Sequence, residues 1–397
     1  MVKVKVARTA QIPDPLRISR CQKIPELGPR ILFFSGGSAI SGLCRVLKNY
    51  THNSIHLVTP FDSGGSSAKL REAFGMPAIG DLRSRLMALA DESILGHPDV
   101  YELFNYRLPK DEKNSSLILC LQAIAQGESP LVEAIQNPMR QLICNQLGYF
   151  LAEMPTNFDL RGASIGNLIL AGGYLNNHEN LDPIIFLFSK LVNVQGTVRA
   201  IINKDLHLGA NLMDGSQVYG QHQLTGKEVK PLSSPIKDLF LSESPDGEPC
   251  RLVQLQKKNR KLIEDAELIC YPPGSFYTSL LANLLPSGVG KAISSNQNPK
   301  VFIPNLGSDP EQVGMTLEQM VETLINQLQK DTSEHCPNDR LLNFILIDSK
   351  NGKYPSDICS KKLEQLGIEL IDTELVSTES APYYDNDLLV SALLSLA

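Results

Sequence analysis

The sequence predicts an α/β fold, a doubly wound, mainly parallel sheet carrying a helical insertion and a β-hairpin. Three observations predict it. Short apolar strands alternate with helical stretches along most of the chain. Two early strands, in RILFFSGG and SIHLVTPF, both run out into polar, glycine-containing turns. A long interior stretch shows helical spacing with no strand signal. With 397 residues, 42% hydrophobic and 20% charged, the chain is long enough to bury a large core around such a sheet.

Residues 1–30 read as an N-terminal extension, and 31–397 as a single α/β unit. Ile31 to Phe34 form a buried strand that breaks at Gly36-Gly37. SAISGLCRVLKNY then places Ile40, Leu43, Val46 and Leu47 at helical spacing. SIHLVTPF is the second strand and feeds FDSGGSSAKLREAFGMPAIGDLRSRL. Two strands joined through a helix are expected to lie parallel, with the ligand edge at their C-terminal ends. From Leu82 to Glu153 the spacing is helical throughout, giving an insertion over about 92–160. ASIGNLILAGGYL and DPIIFLFSKLVNV continue as helices, punctuated by Gly162, Gly166 and Gly172-Gly173. LHLGANLMDGSQVYGQHQL alternates on both sides of Asp214-Gly215, the signature of a hairpin over about 205–225, with His207 and His222 expected to face solvent. Lys227 to Pro249, rich in Pro, Ser and charge, is expected to be irregular. Leu268 to Tyr271 is a strand breaking at Pro272-Pro273-Gly274, with a helix after it. KVFIPNL, LLNFILID and IELIDTELV supply further strands, and MTLEQMVETLINQLQ and LLVSALLSL supply helices.

Several classes of function are disfavoured. Net charge is −6 and the isoelectric point about 5.7, so no basic footprint announces a nucleic-acid partner. The eight cysteines have neither C-x-x-C nor zinc-finger spacing and read as free thiols of a reducing compartment. MVKVKVARTAQIPDPL lacks an apolar core, and no apolar run approaches the roughly 18 residues of a membrane span. A cytoplasmic protein without a membrane partner is expected. The seven histidines contain no H-E-x-x-H, and GGSSA falls one residue short of G-x-S-x-G, so zinc-protease and serine-hydrolase chemistry are disfavoured.

Three turns carry the candidate chemistry. In the first, SGGSAISG has the glycine spacing of a phosphate loop, but Leu43-Cys44 stands where an ATP-hydrolysing loop needs Lys-Ser/Thr. Adjacent glycines still let backbone amides approach an anion at a helix start; a plain strand-to-helix turn is the competing reading. In the second, Gly64, Gly65, Ser66 and Ser67 offer amides and hydroxyls, and Asp62 sits at the strand exit, where a carboxylate holds Mg²⁺ or positions a hydroxyl. Arg71 and Arg83 suit bidentate phosphate binding or a solvated ion pair, and Asp81 suits ligand contact or a helix N-cap. In the third, Gly274, Ser275, Thr278, Ser279 and Asn283 are donor-rich, though hydroxyls at a helix start are often caps. Three such turns on one sheet would converge on one edge.

Taken together, SGGSAISGLCRVLK, TPFDSGGSSAKLREAFGMPAIGDLRSRLMALAD, ASIGNLILAG and LICYPPGSFYTSLLANLL resemble the 2-phospho-L-lactate transferase (CofD)-like family, and more closely its gluconeogenesis-factor, YvcK-like branch. The motifs occur in family order from about 30 to 330. The resemblance implies a Rossmann-like core that binds a nucleotide diphosphate compound, guanosine- or uridine-linked. In the transferase branch a phospholactyl-type group passes to a deazaflavin hydroxyl with Mg²⁺; in the YvcK-like branch the expected ligand is a UDP-sugar, with no established reaction. A homo-oligomer is the expectation carried for assembly. By motif match, Gly36, Gly37 and Ser38 form the first loop, Asp62 is the catalytic or metal-binding acid, and Gly64, Gly65, Ser66, Ser67 and Arg71 form the second loop. Gly80, Asp81 and Arg83 match the P-G-D-I-R element, Gly166 and Asn167 the G-N-L element. Gly274, Ser275, Tyr277, Thr278, Ser279 and Asn283 match the third loop. The chain departs from the pattern at Ser38 for Thr, Ala68-Lys69 for Gly-Arg, Ala163 for His and Met315 for Tyr. Phe61 replaces the first acid of a pair, so the resemblance leaves Asp62 as the one family carboxylate there.

Overall fold

The five residues ILFFS offer large apolar side chains to both faces of a sheet, which suits them to a central parallel strand covered on both sides. In the computed structural model, which describes residues 9–226, 232–250, 252–307, 309–332, 336–356 and 358–397, all five are buried. The strands in chain order are β1 (Ile31–Ser35), β2 (Ile55–Val58), β3 (Thr197–Ala200), β4 (His207–Leu212), β5 (Gln217–Tyr219), β6 (Ile236–Ser242), β7 (Leu268–Tyr271), β8 (Lys300–Phe302), β9 (Phe344–Ile347) and β10 (Glu369–Asp372). Seven of them form one sheet in the order β10-β9-β8-β7-β1-β2-β3, and every pairing in it is parallel. The predicted doubly wound, parallel α/β architecture is therefore present.

The strand order reverses at β1. From β1 the chain winds outward through β2 to β3, then returns to β7 on the other flank and winds outward again to β10. The crevice between β1 and β7, at their C-terminal ends, is thus the topological switch point where ligands of open α/β sheets bind.

Alternation along β1 divides the core. Ile31 and Phe33 pack into a cluster with the helices Ser41–Leu47 and Gly80–Ala88, the helical insertion and the C-terminal helix Asn386–Leu396. Leu32 and Phe34 pack on the opposite face, against the small sheet and the helix Leu317–Gln329. The insertion comprises helices Pro98–Asn105, Asn114–Gln126, Pro130–Glu133 and Met139–Glu153, against which Ile165–Asn176 lies. In the extension, the helix Pro15–Lys23 is capped by Asp14 and contacts the C-terminal helix, with Asp14 N–H donating to Ser395 Oγ (2.8 Å).

Two strands escape sequence reading. Within the stretch expected to be irregular, Ile236–Ser242 forms β6, antiparallel to β4, completing a three-stranded sheet of order β5-β4-β6; residues 227–231 of that stretch lie outside the described residues. Its flanking prolines and serines mask the apolar side chains Leu239 and Leu241 that it buries. β3, Thr-Val-Arg-Ala, lacks the apolar run that marks the equally short β2 and β7, and it forms by pairing with β2 from Ile55 to Val58. The hairpin about Asp214-Gly215 is formed as expected by β4 and β5. All eight cysteines are free thiols. Among the described residues, no helix is long and apolar enough to cross a membrane.

Candidate functional site

At the switch point a cleft of about 460 Å³ opens, within the range typical of small-molecule sites. The turns after β1, β2 and β7 line it, together with the N-terminal ends of helices Gly65–Phe74 and Gly80–Ala88 and the residue Asn167.

The first turn owes its shape to a residue that sequence reading missed. Arg85 is fully buried, and its guanidinium donates to Gly36 O (3.2 Å) and Gly37 O (3.0 Å) while also contacting Cys44 Sγ (2.8 Å). In a trans peptide the carbonyl and the following amide point in opposite directions. With both carbonyls turned inward to Arg85, the amides of Gly37 and Ser38 face the cleft. Among the described residues neither donates to a protein acceptor. Gly36 has to be small, since a Cβ there would stand 2.3 Å from Ser279 Oγ.

The second turn presents Asp62, Gly64, Gly65, Ser66 and Ser67 to the same cleft. Asp62 Oδ1 accepts from Gly64 N–H (3.0 Å), which closes the turn and leaves Oδ2 beside Gly80, 3.6 Å from where a Cβ would be. Gly65, at φ +51°, starts a ten-residue helix whose first-turn amides face the cleft, the geometry and partial charge that favour an anion. Arg71 lies elsewhere than expected. It is buried behind the turn, where Nη2 meets Asp205 Oδ1 (2.7 Å) and donates to Leu206 O (2.8 Å). It braces the loop and does not line the cleft.

Arg83 does line it. The residue is 9% exposed, its Nε has no partner, and Nη1 makes one long bond to Phe104 O (3.4 Å). No carboxylate among the described residues pairs with it. Burial, with Arg107 adding repulsion, pulls its pKa down to about 10, so it remains charged at neutral pH. Gly166 allows this placement: a Cβ would sit 2.5 Å from Phe104 O and 2.9 Å from Arg83 Cδ. Gly166 therefore supports the site without lining it. Asn167 beside it is 2% exposed; its Nδ2 reaches Ser66 Oγ (3.4 Å) and its Oδ1 is unpartnered.

The third turn differs in kind from the other two. Gly274 and Ser275 line the cleft, as does Ser279, but Tyr277, Thr278 and Asn283 stand behind it. The amides of Tyr277 and Thr278 donate to Glu311 Oε2 (3.0 and 2.9 Å), the Phe276 amide to Asp309 Oδ2 (3.3 Å), and Asn305 bonds both N and O of Gly274 (2.6 Å each). Carboxylates of the chain itself already cap this π-helical turn, Phe276–Leu281, so its amides are not an anion cradle. Asn283 donates to Ser35 O (2.9 Å) and Ser279 O (2.8 Å), tying the first and third turns together.

Two further placements correct the sequence reading. His222 does not face solvent: it lines the cleft, with Nδ1 2.7 Å from Ser63 Oγ, and joins the small sheet to the second turn. His207 is half-buried beside Arg71 (3.3 Å), and burial lowers its pKa. Phe61, at the position of the missing acid, is 1% exposed and packs into the core under β1, away from the cleft. The second carboxylate of the cleft is Asp81, in the first turn of its helix. Arg107, Ser84, Gln221 and Thr225 also line the cleft; a bridge to Ser164 places Arg107, Ser84 follows Arg83 on its helix, and the segment after β5 brings Gln221 and Thr225.

Comparison with known proteins bears on the family and the fold. A family model described as 2-phospho-L-lactate transferase CofD matches residues 31–376. The gluconeogenesis factor of Bacillus subtilis is 28% identical over 373 residues, covering 91% of this chain and 93% of that protein. That of Listeria monocytogenes is 27% identical over 369 residues, with coverage of 89% and 91%. The putative gluconeogenesis factor of a Nostoc species is 28% identical over 328 residues; the match spans 82% of this chain but 56% of that longer protein. A crystal structure of a UPF0052 family protein from Bacillus halodurans superposes with a TM-score of 0.65 at 25% identity, covering 92% of this chain and 99% of that one.

Proposed function

We propose, for a chain that belongs to the 2-phospho-L-lactate transferase CofD family, that the switch-point cleft binds a nucleoside diphosphate compound by its diphosphate and transfers a phosphorus-containing group from it to a hydroxyl. The observation that carries this reading is the convergence, in one cleft, of unpaired Gly37 and Ser38 amides, the first turn of helix Gly65–Phe74, and an Arg83 guanidinium without a carboxylate partner among the described residues. Amides and a planar guanidinium held in advance around a phosphate stabilise charge that builds on its oxygens as a bond breaks.

Asp62 and Asp81 are the two acids of the cleft, and hard carboxylate oxygens beside a diphosphate suit Mg²⁺, which takes one or two carboxylates plus phosphate oxygens. Among the described residues no cluster of three ligating side chains exists, so the ion would depend on the substrate for most of its coordination. When bound, Mg²⁺ neutralises diphosphate charge. Asp62, with Oδ2 not used in closing its turn, holds the ion or accepts the proton of the attacking hydroxyl.

The capped third turn favours a second reading, in which a UDP-sugar is bound without turnover, because fewer donors remain to follow a moving charge. One experiment separates the two. The purified chain is incubated with Mg²⁺ and guanosine- or uridine-linked diphosphate compounds, and both binding heat and nucleoside monophosphate release are recorded with hydroxyl acceptors present. Release that Asp62→Asn abolishes, with binding retained within about threefold, is expected for the transferase. Binding with no release sinks catalysis, and no binding at millimolar ligand sinks both readings.

A further inference from the structure

Beside the diphosphate cleft lies a second one of about 420 Å³, sharing Gly65, Ser66, Arg107 and Asn167 with the first. Its chemistry differs. Leu70, Phe158 and Leu168 give it an apolar floor, and Lys69, Arg107, Lys110 and Arg161 stand on its lining against a single carboxylate, Asp159. Asp159 is already spoken for: Lys69 Nζ approaches it at 2.8 Å and Arg161 Nε at 2.9 Å, and these partners hold its carboxyl well below the usual range. Arg107 and Lys110 are left without a carboxylate partner among the described residues; Arg107 has one bond, to Gly162 O (3.2 Å). At the boundary of the two clefts, Asn167 Oδ1 is a buried acceptor with no donor.

The geometry points to a second subsite that takes the distal part of the compound whose diphosphate fills the first cleft, and selects a hydroxylated ring acid there. Each feature asks for one part of such a group. The unpartnered Asn167 Oδ1 calls for a donor, which a ring hydroxyl supplies. The floor of Leu70 and Phe158 takes the apolar face of a ring. Arg107 and Lys110 call for an anion, which a ring carboxylate supplies and a hydroxymethyl group does not. The inference rests on the nucleoside diphosphate reading above, and adds the charge of the group beyond the diphosphate.

The test is calorimetry of the full chain with two matched pairs, UDP-glucuronate against UDP-glucose and GDP-mannuronate against GDP-mannose. Within each pair only a carboxylate replaces a hydroxymethyl. The uronate of at least one pair is expected to bind about tenfold tighter than its neutral partner, the scale of one good charge-assisted contact. Lys110 is exposed and touches the second cleft alone, so Lys110→Gln and Lys110→Glu leave the fold and the diphosphate contacts in place. The preference is expected to shrink in Lys110→Gln and to vanish or invert in Lys110→Glu, with neutral-sugar affinity unchanged. Equal binding within both pairs overturns the subsite while leaving the diphosphate reading intact. A preference that survives Lys110→Glu undiminished overturns its location, and silence from all four compounds overturns the diphosphate reading and the subsite together.

Discussion

Arg85 spends a full guanidinium on two backbone carbonyls and a thiol, with no exposure and no carboxylate partner among the described residues. Its effect is orientational: it turns the Gly36 and Gly37 carbonyls inward and so turns the following amides toward the cleft. Arg85→Met removes three donated contacts and strands two buried acceptors. A loss of about 2–4 kcal/mol in urea-unfolding stability is expected, together with weaker nucleotide binding. Unchanged stability with unchanged binding would show that the loop holds its shape unaided. Sequence reading found the residues whose backbone binds, because glycines cluster where a backbone must come close: Gly36, Gly37, Gly64 and Gly65 all reach the cleft. It missed Arg85, inside the helix Gly80–Ala88, and Arg107, just past the helix Pro98–Asn105, since an arginine's local sequence looks the same whether it meets solvent, a buried carbonyl or a cleft. It placed Arg71 in the ligand site for the same reason, where the structure shows its partner to be Asp205, distant in sequence.

Packing between elements sets the depth of the site. The helices Gly80–Ala88 and Ile165–Asn176 approach closely at Gly166, and Gly166→Ala would push a methyl into Phe104 O and Arg83 Cδ. Overpacking of this kind costs about 1–3 kcal/mol. Because Arg83 must move to relieve it, the same variant is expected to lose nucleotide affinity, measured by calorimetry beside thermal unfolding. The π-helical turn Phe276–Leu281 carries a different liability. Glu311 is buried under it, and burial, with Asp309 adding repulsion, raises its pKa from 4.5 to about 7. The folded chain therefore holds a proton that the unfolded chain releases above about pH 4.5. The associated stability is complete below that pH and is lost as pH rises through about 7, a change on the order of 3 kcal/mol. Glu311→Gln keeps an oxygen for the Tyr277 and Thr278 amides and removes the titration. Its unfolding free energy should stay flat from pH 5 to 8 where that of the parent falls; parallel profiles would place the pH dependence elsewhere. The two strands that were not legible, β3 and β6, are both defined by partners: four residues beside β2, and a Pro- and Ser-flanked segment beside β4. Neither a strand of Thr, Val, Arg and Ala nor one masked by its flanks shows the apolar run that marked β2 and β7.

At the scale of the molecule, the doubly wound order places the crevice between β1 and β7, and that much was legible: strand–glycine turn–helix units recur, and a parallel sheet brings their turns to one edge. What the turns offer each other was not. The first and second turns face the cleft with free amides, the third is capped from the loop after β8, and the small sheet closes one side with His222 on Ser63. On the proposed reading the cleft is an anion site built from two turns and a buried cation, and ligand binding there should stabilise the whole fold, by about 2.7 kcal/mol at a hundredfold excess over Kd. On the diphosphate reading, Arg83 remains charged and buried in order to meet a diphosphate. Titration calorimetry of UDP and GDP into the parent chain and Arg83→Met tests this, with thermal unfolding run on both. One saturable site per chain is expected for at least one nucleotide, weakened about 30-fold or more by a substitution that leaves the unfolding temperature unchanged or raised, since it removes a desolvated charge. A parent chain that binds neither nucleotide at millimolar concentration, or an Arg83→Met chain that binds as tightly as the parent, would contradict it.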